Sequence, residues 1–338
     1  MVCSSPSVVA LSTFPKVIVI VAFKNEENSI HHTLRAVLGQ NYPDYEVIAI
    51  DDHSTDNSYD IASHISDDRL LLLRNDSEPG KKNALTLAIA HADASYLLFT
   101  DADCEPASLQ WIDSMMASML SRDGVEIVLG VAPFSTNSGF VNLFARYENV
   151  MTAVQYVSYA VLGIPYMGVG RNLMYKKDYY SRIHGFESHG HISSGDDDLT
   201  VSAAADSANT VVNMDKNSFV YSKAASTFEA FIRQKTRHIT TSIHYRWYHQ
   251  LLLGGFGIAH LLWLPMILAL FLTGQVDLVV ILSIVVLKWS VQILLQHKFY
   301  RLLETTKLAL WFPILDMCYS IYLWLLILYN PFRNKSWK

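Results

Sequence analysis

Charged residues are scarce near the carboxyl end of this chain, and that scarcity limits what the last quarter of the chain can fold into. Only seven of the 82 residues at positions 251–332 are charged, although 17% of all 338 residues are. The mean hydropathy of +0.20 is high for a soluble protein. An apolar tail of this length predicts helices that lie in a membrane. We therefore predict a globular domain over residues 1–240 and a membrane region over residues 241–338.

The overall composition excludes several other classes of protein. A net charge of −5 provides no positive field for nucleic acid, and a hydrophobic content of 51% excludes a disordered chain. Cys3, Cys104 and Cys318 lack the spacing of metal ligands and predict neither a disulfide framework nor a zinc site. The amino terminus lacks the pattern of a secretory signal peptide, so we expect a cytosolic domain attached to the inner (plasma) membrane.

Short apolar runs alternate with amphipathic segments over the first hundred residues. The runs are uninterrupted, as in strands that are covered on both faces. Between the first two runs, Ile30, Leu34, Val37 and Leu38 share one face of a predicted helix. This alternation predicts right-handed βαβ units, a parallel sheet and the α/β class of fold. The predicted strands cover residues 17–22, 46–50, 70–73 and 96–100.

Polar and ionisable residues cluster just after three of these predicted strands, at residues 24–27, 51–56 and 101–103. The carboxyl ends of parallel strands meet at one edge of a sheet, and ligands of such proteins bind in the crevice outside that edge. One cluster at a strand end would mean little, but three at one edge argue for a common site. We therefore predict that these clusters form a single ligand site.

Asp101 and Asp103 have the arrangement expected of metal ligands. Side chains alternate along a strand, so the two carboxylates of this Asp-Ala-Asp sequence project on the same side. Oxygen ligands at this spacing suit Mg²⁺ or Mn²⁺. The alternative is a solvated loop in which both acids cap a helix that begins near Ser108. The neighbouring Asp51 and Asp52 favour the metal site.

Three further acids, Asp196, Asp197 and Asp198, follow a loop rich in glycine and serine. Adjacent carboxylates repel each other, and partial burial would raise the pKa of one of them, as suits a general base. Acids at a helix amino terminus also stabilise the helix dipole. The two interpretations are compatible, and the sequence leaves both open.

Two other motifs are less specific. Gly168 and Gly170 begin a sequence similar to a dinucleotide fingerprint, but the third glycine is missing and the motif does not follow the first strand, so we predict no cofactor loop there. Ser226 is expected to cap a helix over residues 227–238 that is rich in lysine and arginine. That helix either lies at a membrane surface or clamps a diphosphate through one or two of its side chains.

The apolar tail is long enough for three membrane spans. They are predicted at residues 251–272, 278–295 and 308–328, because a helix needs about 20 apolar residues to cross the hydrocarbon core. Residues 147–167 are also apolar, but their polar side chains and four tyrosines favour a buried or interfacial helix. We expect that helix to help form an acceptor site beside the membrane.

Lys288 and Asp316 are charged residues inside two of these predicted spans. Counted from the span ends at a rise of about 1.5 Å per residue, both lie near the middle of the bilayer. An isolated charge there costs about 2.5–3.5 kcal/mol on insertion scales. We therefore predict a contact between Lys288 and Asp316 that orients the second and third spans.

Taken together and in order, these motifs resemble those of glycosyltransferase family 2. The similarity runs from Val17 to about Arg237, roughly two thirds of the chain. The resemblance implies a GT-A fold, in which a Rossmann-like domain binds a nucleotide sugar, and an inverting transfer of a hexosyl type. It depends on Ala-Phe-Lys-Asn-Glu at 22–26, Asp-Asp-His-Ser-Thr-Asp at 51–56, Gly-Lys at 80–81, Asp-Ala-Asp at 101–103, Asp-Asp at 196–197 and Gln-Lys-Thr-Arg at 234–237.

The resemblance also implies roles for individual residues. Asp103, with Asp101, would bind a Mg²⁺ or Mn²⁺ ion that bridges the donor's diphosphate. Asp197 would accept the proton of the acceptor hydroxyl, and Asp196 is its rival because the triplet is one residue shorter than the family's usual spacing. The implied partners are a nucleotide-sugar donor, expected to carry UDP, and a lipid or lipid-linked glycan acceptor. Donor binding is implied for Ala22, Phe23, Glu26, Asp52, Lys81, Asp101, Gln234 and Arg237.

Three alternative functions remain at this point. One is a processive polysaccharide synthase of the same family, which His238 disfavours because it replaces the tryptophan of the family's Q-x-x-R-W signature. Another is a metal-dependent nucleotidyltransferase, which would release pyrophosphate where a glycosyltransferase releases a nucleoside diphosphate. The third is a membrane receptor that binds a nucleotide sugar without turnover.

Overall fold

The computed structural model of the protein describes residues 14–192 and 194–329, without the side chains of residues 237–240 and 329. These residues form two compact units. The first unit contains residues 14–135 and 155–223, and the second contains residues 136–154 and 224–329. The division of the chain at residue 240 into a catalytic and a membrane part stays a prediction.

The first unit contains a seven-stranded mixed sheet of order β3-β2-β1-β4-β7-β6-β8. Strands β1 to β4 are parallel, as predicted, whereas β7 is antiparallel to both β4 and β6. Strands β5 and β9 form a separate antiparallel pair. The strands are β1 (Val17–Phe23), β2 (Tyr45–Asp51), β3 (Leu70–Arg74), β4 (Tyr96–Asp101), β5 (Cys104–Pro106), β6 (Ile127–Leu129), β7 (Leu173–Lys176), β8 (Thr210–Val212) and β9 (Val220–Ser222).

Helices pack on this sheet and bury β1 completely. Val17, Val19 and Val21 belong to the hydrophobic core that also contains residues of α1 and α4, whereas α3 contacts β1 and β2. Each fully buried valine contributes about 1.5–3 kcal/mol, so burial on both faces explains why the strand is an unbroken apolar run. The helices in or entering this unit are α1 (Ile30–Leu38), α2 (Ser58–Ser63), α3 (Lys81–His91), α4 (Trp111–Met119), α5 (Phe140–Val161), α6 (Lys177–Arg182) and α7 (Asp198–Ala204).

The second unit contains the first part of α5 and four further helices. Three of these helices are long and apolar enough to cross a membrane, and they contain the three predicted spans. Many of their large apolar side chains are exposed, as expected of surfaces that contact lipid. The four helices are α8 (Phe228–Ser242), α9 (Trp247–Thr273), α10 (Leu278–Leu302) and α11 (Leu308–Tyr329).

The predicted contact between Lys288 and Asp316 is confirmed. Lys288 Nζ lies 2.5 Å from Asp316 Oδ2, and the same oxygen accepts a hydrogen bond of 3.1 Å from Trp289 Nε1. His260 of α9 reaches the other carboxylate oxygen at 3.7 Å. Asp316 is completely buried, so its charge needs these partners. The pair therefore joins α10 to α11, and His260 extends the polar cluster to α9.

Two expectations about helices are refined by the structure. Thr227 caps α8, not Ser226, because Thr227 has the extended backbone of an N-cap residue and its hydroxyl accepts the N–H of Ala230 at 3.2 Å. Residues 147–161 belong to α5, where Tyr147 is completely buried against Phe312. The helix begins earlier than predicted, at Phe140, and ends at Val161, and its place at a membrane surface stays a prediction.

Candidate active site

The carboxyl ends of three parallel strands meet at one edge of the sheet, as predicted. In the strand register, Ala22 of β1 lies between Ile50 of β2 and Asp101 of β4, and Phe23 pairs with Asp51. The polar residues that follow each strand therefore lie close together. Glu26 is part of this edge: its N–H donates to Ser58 Oγ at 2.6 Å, at the start of α2.

Asp52 is completely buried at this edge, where its carboxylate holds the turn that precedes α3. Its two oxygens accept the N–H of Gly80 at 2.9 and 3.0 Å, and one also accepts Asn75 Nδ2 at 2.7 Å. These bonds position Lys81, the first residue of α3. The expected contact between Asp52 and a donor stays a prediction.

Lys81 joins two acidic segments that are distant in sequence. Its Nζ lies 2.9 Å from Asp101 Oδ1 and 2.8 Å from Asp196 Oδ2. Burial by itself would lower the pKa of Lys81, but Asp101, Asp196 and Asp197 outweigh burial and raise it well above its usual value. Lys81 is therefore a permanent cation that brings the acid triplet to the edge of the sheet.

Asp197 is held by two backbone N–H groups. Gly170 donates to Asp197 Oδ2 at 2.7 Å, and Asp198 donates to Asp197 Oδ1 at 2.8 Å. Asp197 is also the N-cap of α7, so the capping and active-site interpretations hold together. A Cβ atom at Gly170 would lie 3.3 Å from Asp197 Oδ2, which leaves little room for another residue at that position.

The two candidate bases have opposite pKa shifts. Burial and the charges of Asp196 and Asp198 raise the pKa of Asp197 to about 7, against the opposing effect of Lys81. Burial would also raise the pKa of Asp196, but its contact with Lys81 prevails and lowers it. A general base works best when its pKa lies near the working pH, so these shifts favour Asp197 over Asp196.

One pocket is lined by Lys81, Asp101, Gly170, Asp196 and Asp197. Its walls combine the charged groups described above with apolar side chains from β1, β4 and β7. Such a mixture of apolar surface and a few converging polar groups is typical of sites for small ligands. The lining residues are Ile20, Ala22, Lys81, Leu85, Phe99, Thr100, Asp101, Gly170, Leu173, Tyr175, Asp196 and Asp197.

Asp101 and Asp103 fit a divalent cation. Their carboxylate oxygens and the sulfur of Cys104 all lie within 4.8 Å of one another. Mg²⁺ and Mn²⁺ prefer hard oxygen ligands, so the two carboxylates are the candidate ligands in this group. The alternative in which both acids cap a helix is wrong, because β5 follows them and α4 begins only at Trp111.

The sequence did not predict the roles of three residues at this site. Gly170 holds Asp197, although the glycine motif around it was discounted as a cofactor loop. Lys82 is buried and donates to the carbonyls of His189 and Ile192 at 2.6 and 3.0 Å, which holds the loop before the acid triplet.

Arg171 acts on the pKa of Asp103. Burial and the carboxylates of Asp101 and Glu26 raise that pKa, and the positive charge of Arg171 lowers it. The sequence signal that could have identified Gly170 and Arg171 was the polar pair Arg171-Asn172, which directly follows the Gly168-Val-Gly170 motif.

Gln234 and Arg237 lie in α8, which belongs to the second unit. Gln234 is half-buried, and the side chain of Arg237 lies outside the described residues. Their expected roles in donor binding stay predictions.

The fold and the pocket define a protein of the α/β class with a ligand site at the carboxyl ends of its parallel strands and carboxylates that fit a divalent cation. The family model described as Glycosyl transferase family 2 matches residues 18–182. The model described as Glycosyl transferase family group 2 matches residues 115–332, which is more than half of the chain. The chain therefore belongs to glycosyltransferase family 2, and the predicted family and GT-A fold are confirmed.

Individual relatives match smaller parts of the chain. Glycosyltransferase AglE of Haloferax volcanii is 36% identical over 132 residues, which cover 38% of this chain and 43% of AglE. The enzyme named UDP-Glc:alpha-D-GlcNAc-diphosphoundecaprenol beta-1,3-glucosyltransferase WfaP of Escherichia coli is 34% identical over 85 residues, covering 25% of this chain and 34% of WfaP. The chain thus spans less than half the length of these two relatives.

A solved structure confirms the fold over nearly the whole chain. It is the mannosyltransferase PcManGT of Pyrobaculum calidifontis in complex with GDP-Man and Mn²⁺, with a TM-score of 0.57 and 18% identity. The similarity covers 92% of this chain and 88% of PcManGT.

Proposed function

We propose that this protein is a membrane-anchored, metal-dependent inverting glycosyltransferase. It takes a sugar from a nucleotide donor, expected to carry UDP, and transfers it to a lipid or a lipid-linked glycan. The observation that supports this most strongly is Asp197: a carboxylate with a pKa raised to about 7, held by two N–H groups in the same pocket as Asp101.

Asp197 acts as the general base in this proposal. The acceptor hydroxyl oxygen forms a bond to the anomeric carbon while its proton passes to Asp197. The bond between the anomeric carbon and the diphosphate oxygen breaks, and the nucleoside diphosphate leaves with that electron pair. Attack on the face opposite the leaving group inverts the anomeric centre in a single displacement.

Asp101 and Asp103 are the proposed ligands of the divalent cation. When bound, such a cation offsets the negative charge that grows on the diphosphate leaving group. Lys81 keeps Asp101 and Asp196 paired with a cationic group and holds the acid triplet at the pocket. Ala22, Phe23, Glu26 and Asp52 at the strand edge, and Gln234 and Arg237 of α8, retain the donor-binding roles that the family motifs imply.

Two observations support an acceptor at the membrane. The chain has three helices that are long and apolar enough to span a bilayer, among the residues that the structure describes. WfaP, which is similar to part of this chain, is named for a sugar carried on diphosphoundecaprenol. We therefore propose a lipid-borne acceptor, with the catalytic unit on the cytosolic side of the inner membrane.

The first experiment identifies the donor and the product. Native membranes that contain the full-length protein are incubated with UDP-glucose, UDP-N-acetylglucosamine or GDP-mannose, together with Mn²⁺ or Mg²⁺. Release of a nucleoside diphosphate is measured, and the molecular masses of the extracted lipids are determined by mass spectrometry. We expect one donor to yield a glycosylated lipid in a cation-dependent manner, and release of pyrophosphate would instead indicate a nucleotidyltransferase.

The second experiment tests Asp197. We expect Asp197→Asn to lower the transfer rate about 10²–10⁴-fold while nucleotide binding remains, because general base catalysis contributes that much. Asp123→Asn, an exposed aspartate of the same unit, is the matched control. Unchanged turnover in Asp197→Asn would contradict the proposal. Donor binding by the native protein without any transfer or hydrolysis would favour the receptor.

A further inference from the structure

Arg171 is a cation at the candidate site that has no role in the mechanism proposed above. It follows directly after Gly170, whose N–H donates to Asp197 at 2.7 Å. On its other side, Arg171 Nη1 donates to Ser222 Oγ. Ser222 of β9 pairs with Cys104 of β5, the residue after Asp103. Arg171 therefore connects the segment that holds the candidate base to the segment that carries the candidate metal ligands.

The guanidinium of Arg171 is held in a defined orientation. Its carbon Cζ lies 4.6 Å from the centre of the Phe134 ring, in a cation–π contact. Phe134 is itself buried and forms a β-bridge with Ser222, so the ring and the hydroxyl that hold the guanidinium are fixed to each other. A guanidinium oriented in advance loses little conformational entropy when it binds a ligand.

The groups that contact the Arg171 guanidinium directly, the Ser222 hydroxyl and the Phe134 ring, are uncharged. Among the residues that the structure describes, its guanidinium donates to Ser222 and takes part in no ion pair, although its charge acts on the carboxylate of Asp103. A guanidinium carries five N–H donors in a planar fork that matches the oxygens of a phosphate group. Ser222 takes only Nη1, so this half-buried guanidinium has the charge and the further N–H donors to receive a phosphate group.

We infer that Arg171 binds a phosphate group of a substrate, between the metal-ligand segment and Asp197. The inference rests on the proposed function, since it assigns a phosphate of one of that function's substrates to a residue. The phosphate belongs either to the diphosphate of the nucleotide donor or to the diphosphate of a lipid-borne acceptor. The chemistry of recognition is the same, and binding measurements distinguish the two sources.

The experiment measures binding of two probes to the full-length protein in detergent by calorimetry. One probe is UDP or GDP with Mn²⁺, and the other is farnesyl diphosphate without nucleotide. We expect Arg171→Met to weaken binding of one probe at least tenfold, and Arg171→Lys to recover part of that loss because it keeps the charge. Arg122→Met is the matched control: Arg122 is exposed and donates to the backbone carbonyls of Ser207 and Ala208, and this variant should change neither affinity by more than twofold.

Each result has a defined meaning. A loss confined to the nucleotide probe assigns Arg171 to the donor, and a loss confined to farnesyl diphosphate assigns it to the acceptor. Equal affinities of native protein and Arg171→Met for both probes overturn the inference. If Arg171→Met does not fold, Ser222→Ala and Arg171→Lys decide the question: each must weaken one probe at least threefold, and unchanged affinities overturn the inference.

Failure of the proposed function has a different signature. In that case the native protein binds neither UDP nor GDP with Mn²⁺, and the assignment of Arg171 is overturned with it. Failure of the Arg171 assignment alone leaves nucleotide binding by the native protein intact and the same in Arg171→Met.

Discussion

Two lysines in different units contact aspartates at similar distances, but the charge around them differs. Lys81 Nζ lies 2.9 Å from Asp101 and 2.8 Å from Asp196, in a pocket that also contains Asp197. Lys288 Nζ lies 2.5 Å from Asp316, in the unit that contains the apolar helices. Carboxylates outnumber the lysine in the first cluster, whereas the second has one lysine for one carboxylate.

The difference shows how the same pair of residue types can serve structure or chemistry. A balanced, buried pair satisfies both charges and fixes the packing of the helices that carry it. A cluster with an excess of carboxylates keeps negative charge that a cation can offset, and it raises the pKa of its least compensated member, here Asp197. The number of charges, more than the contact distance, separates the candidate active site from the helix contact.

The largest effect on stability is expected from removing the lysine of the unbalanced cluster. Lys81→Met removes the salt bridges to Asp101 and Asp196, which are largely but not fully buried, and breaking a buried pair costs up to about 3–5 kcal/mol. Chemical denaturation of the full-length protein in detergent, followed by circular dichroism, should show that decrease in the free energy of unfolding. Lys16→Met is the matched control, because its partly exposed pair with Glu46 contributes less than about 1 kcal/mol. If the free energy of unfolding fell by a similar, small amount in both variants, the salt bridges of Lys81 would contribute no more than an exposed pair.

A slightly smaller effect is expected at the balanced pair. Lys288→Met and Asp316→Leu should each destabilise the protein by about 2.5–3.5 kcal/mol, since each leaves one charge among apolar helices. The double variant should be close to the native protein, because it leaves no unpaired charge. Denaturation of the native protein, the two single variants and the double variant in SDS measures the energetic coupling between Lys288 and Asp316. Additive losses in the double variant would mean that the two residues do not depend on each other.

Transfer should depend on pH through the excess of carboxylates in the first cluster. Asp197 must be deprotonated to act as a base, and its pKa is raised to about 7. The initial rate should therefore rise with pH through 7 and be about tenfold lower at pH 6 than at its plateau. In Lys81→Met the midpoint should move to higher pH, because Lys81 lowers the pKa of Asp197. A rate that is constant between pH 5.5 and 8 would exclude Asp197 as the base.

The smallest loss of stability is expected at an uncharged contact, the cap of α8. It serves as a reference for the losses expected at the two charged clusters. Thr227→Ala removes the hydroxyl that accepts the N–H of Ala230 and should lower the free energy of unfolding by about 1 kcal/mol. Ser226→Ala, one residue earlier, should have almost no effect, since Ser226 does not cap α8. A larger loss in Ser226→Ala than in Thr227→Ala would reverse the assignment of the cap.

Features with a local or periodic cause were predictable from the sequence. The unbroken apolar run of β1, the helix face of Ile30 and Leu34, and the apolar helices all follow from the spacing of apolar residues. The contact between Lys288 and Asp316 was also predictable, because the bilayer restricts where an unpaired charge can lie. In each case one contribution to the free energy, either apolar burial or the desolvation of a charge, determines which structure forms.

The polar edge of the first unit was predictable only in part. The clusters after β1, β2 and β4 were identified because parallel strands bring their carboxyl ends together. The antiparallel β7 was not predicted, since a short strand carries no signal of its direction. The bond from Gly170 to Asp197 and the contact from Lys81 to Asp196 join segments far apart in the chain. No local pattern encodes such pairs.

The amino-acid sequence alone determined the α/β class, the apolar helices and the carboxylates available for chemistry, because these depend on composition and on short periods. Which carboxylate has a raised pKa and which has a lowered one became clear from the folded arrangement of the chain. That difference between Asp197 and Asp196 arises from the position of one lysine, Lys81, brought by α3 to within 2.8 Å of Asp196. Electrostatic effects depend on distance in space and on burial, and both are set when the chain folds.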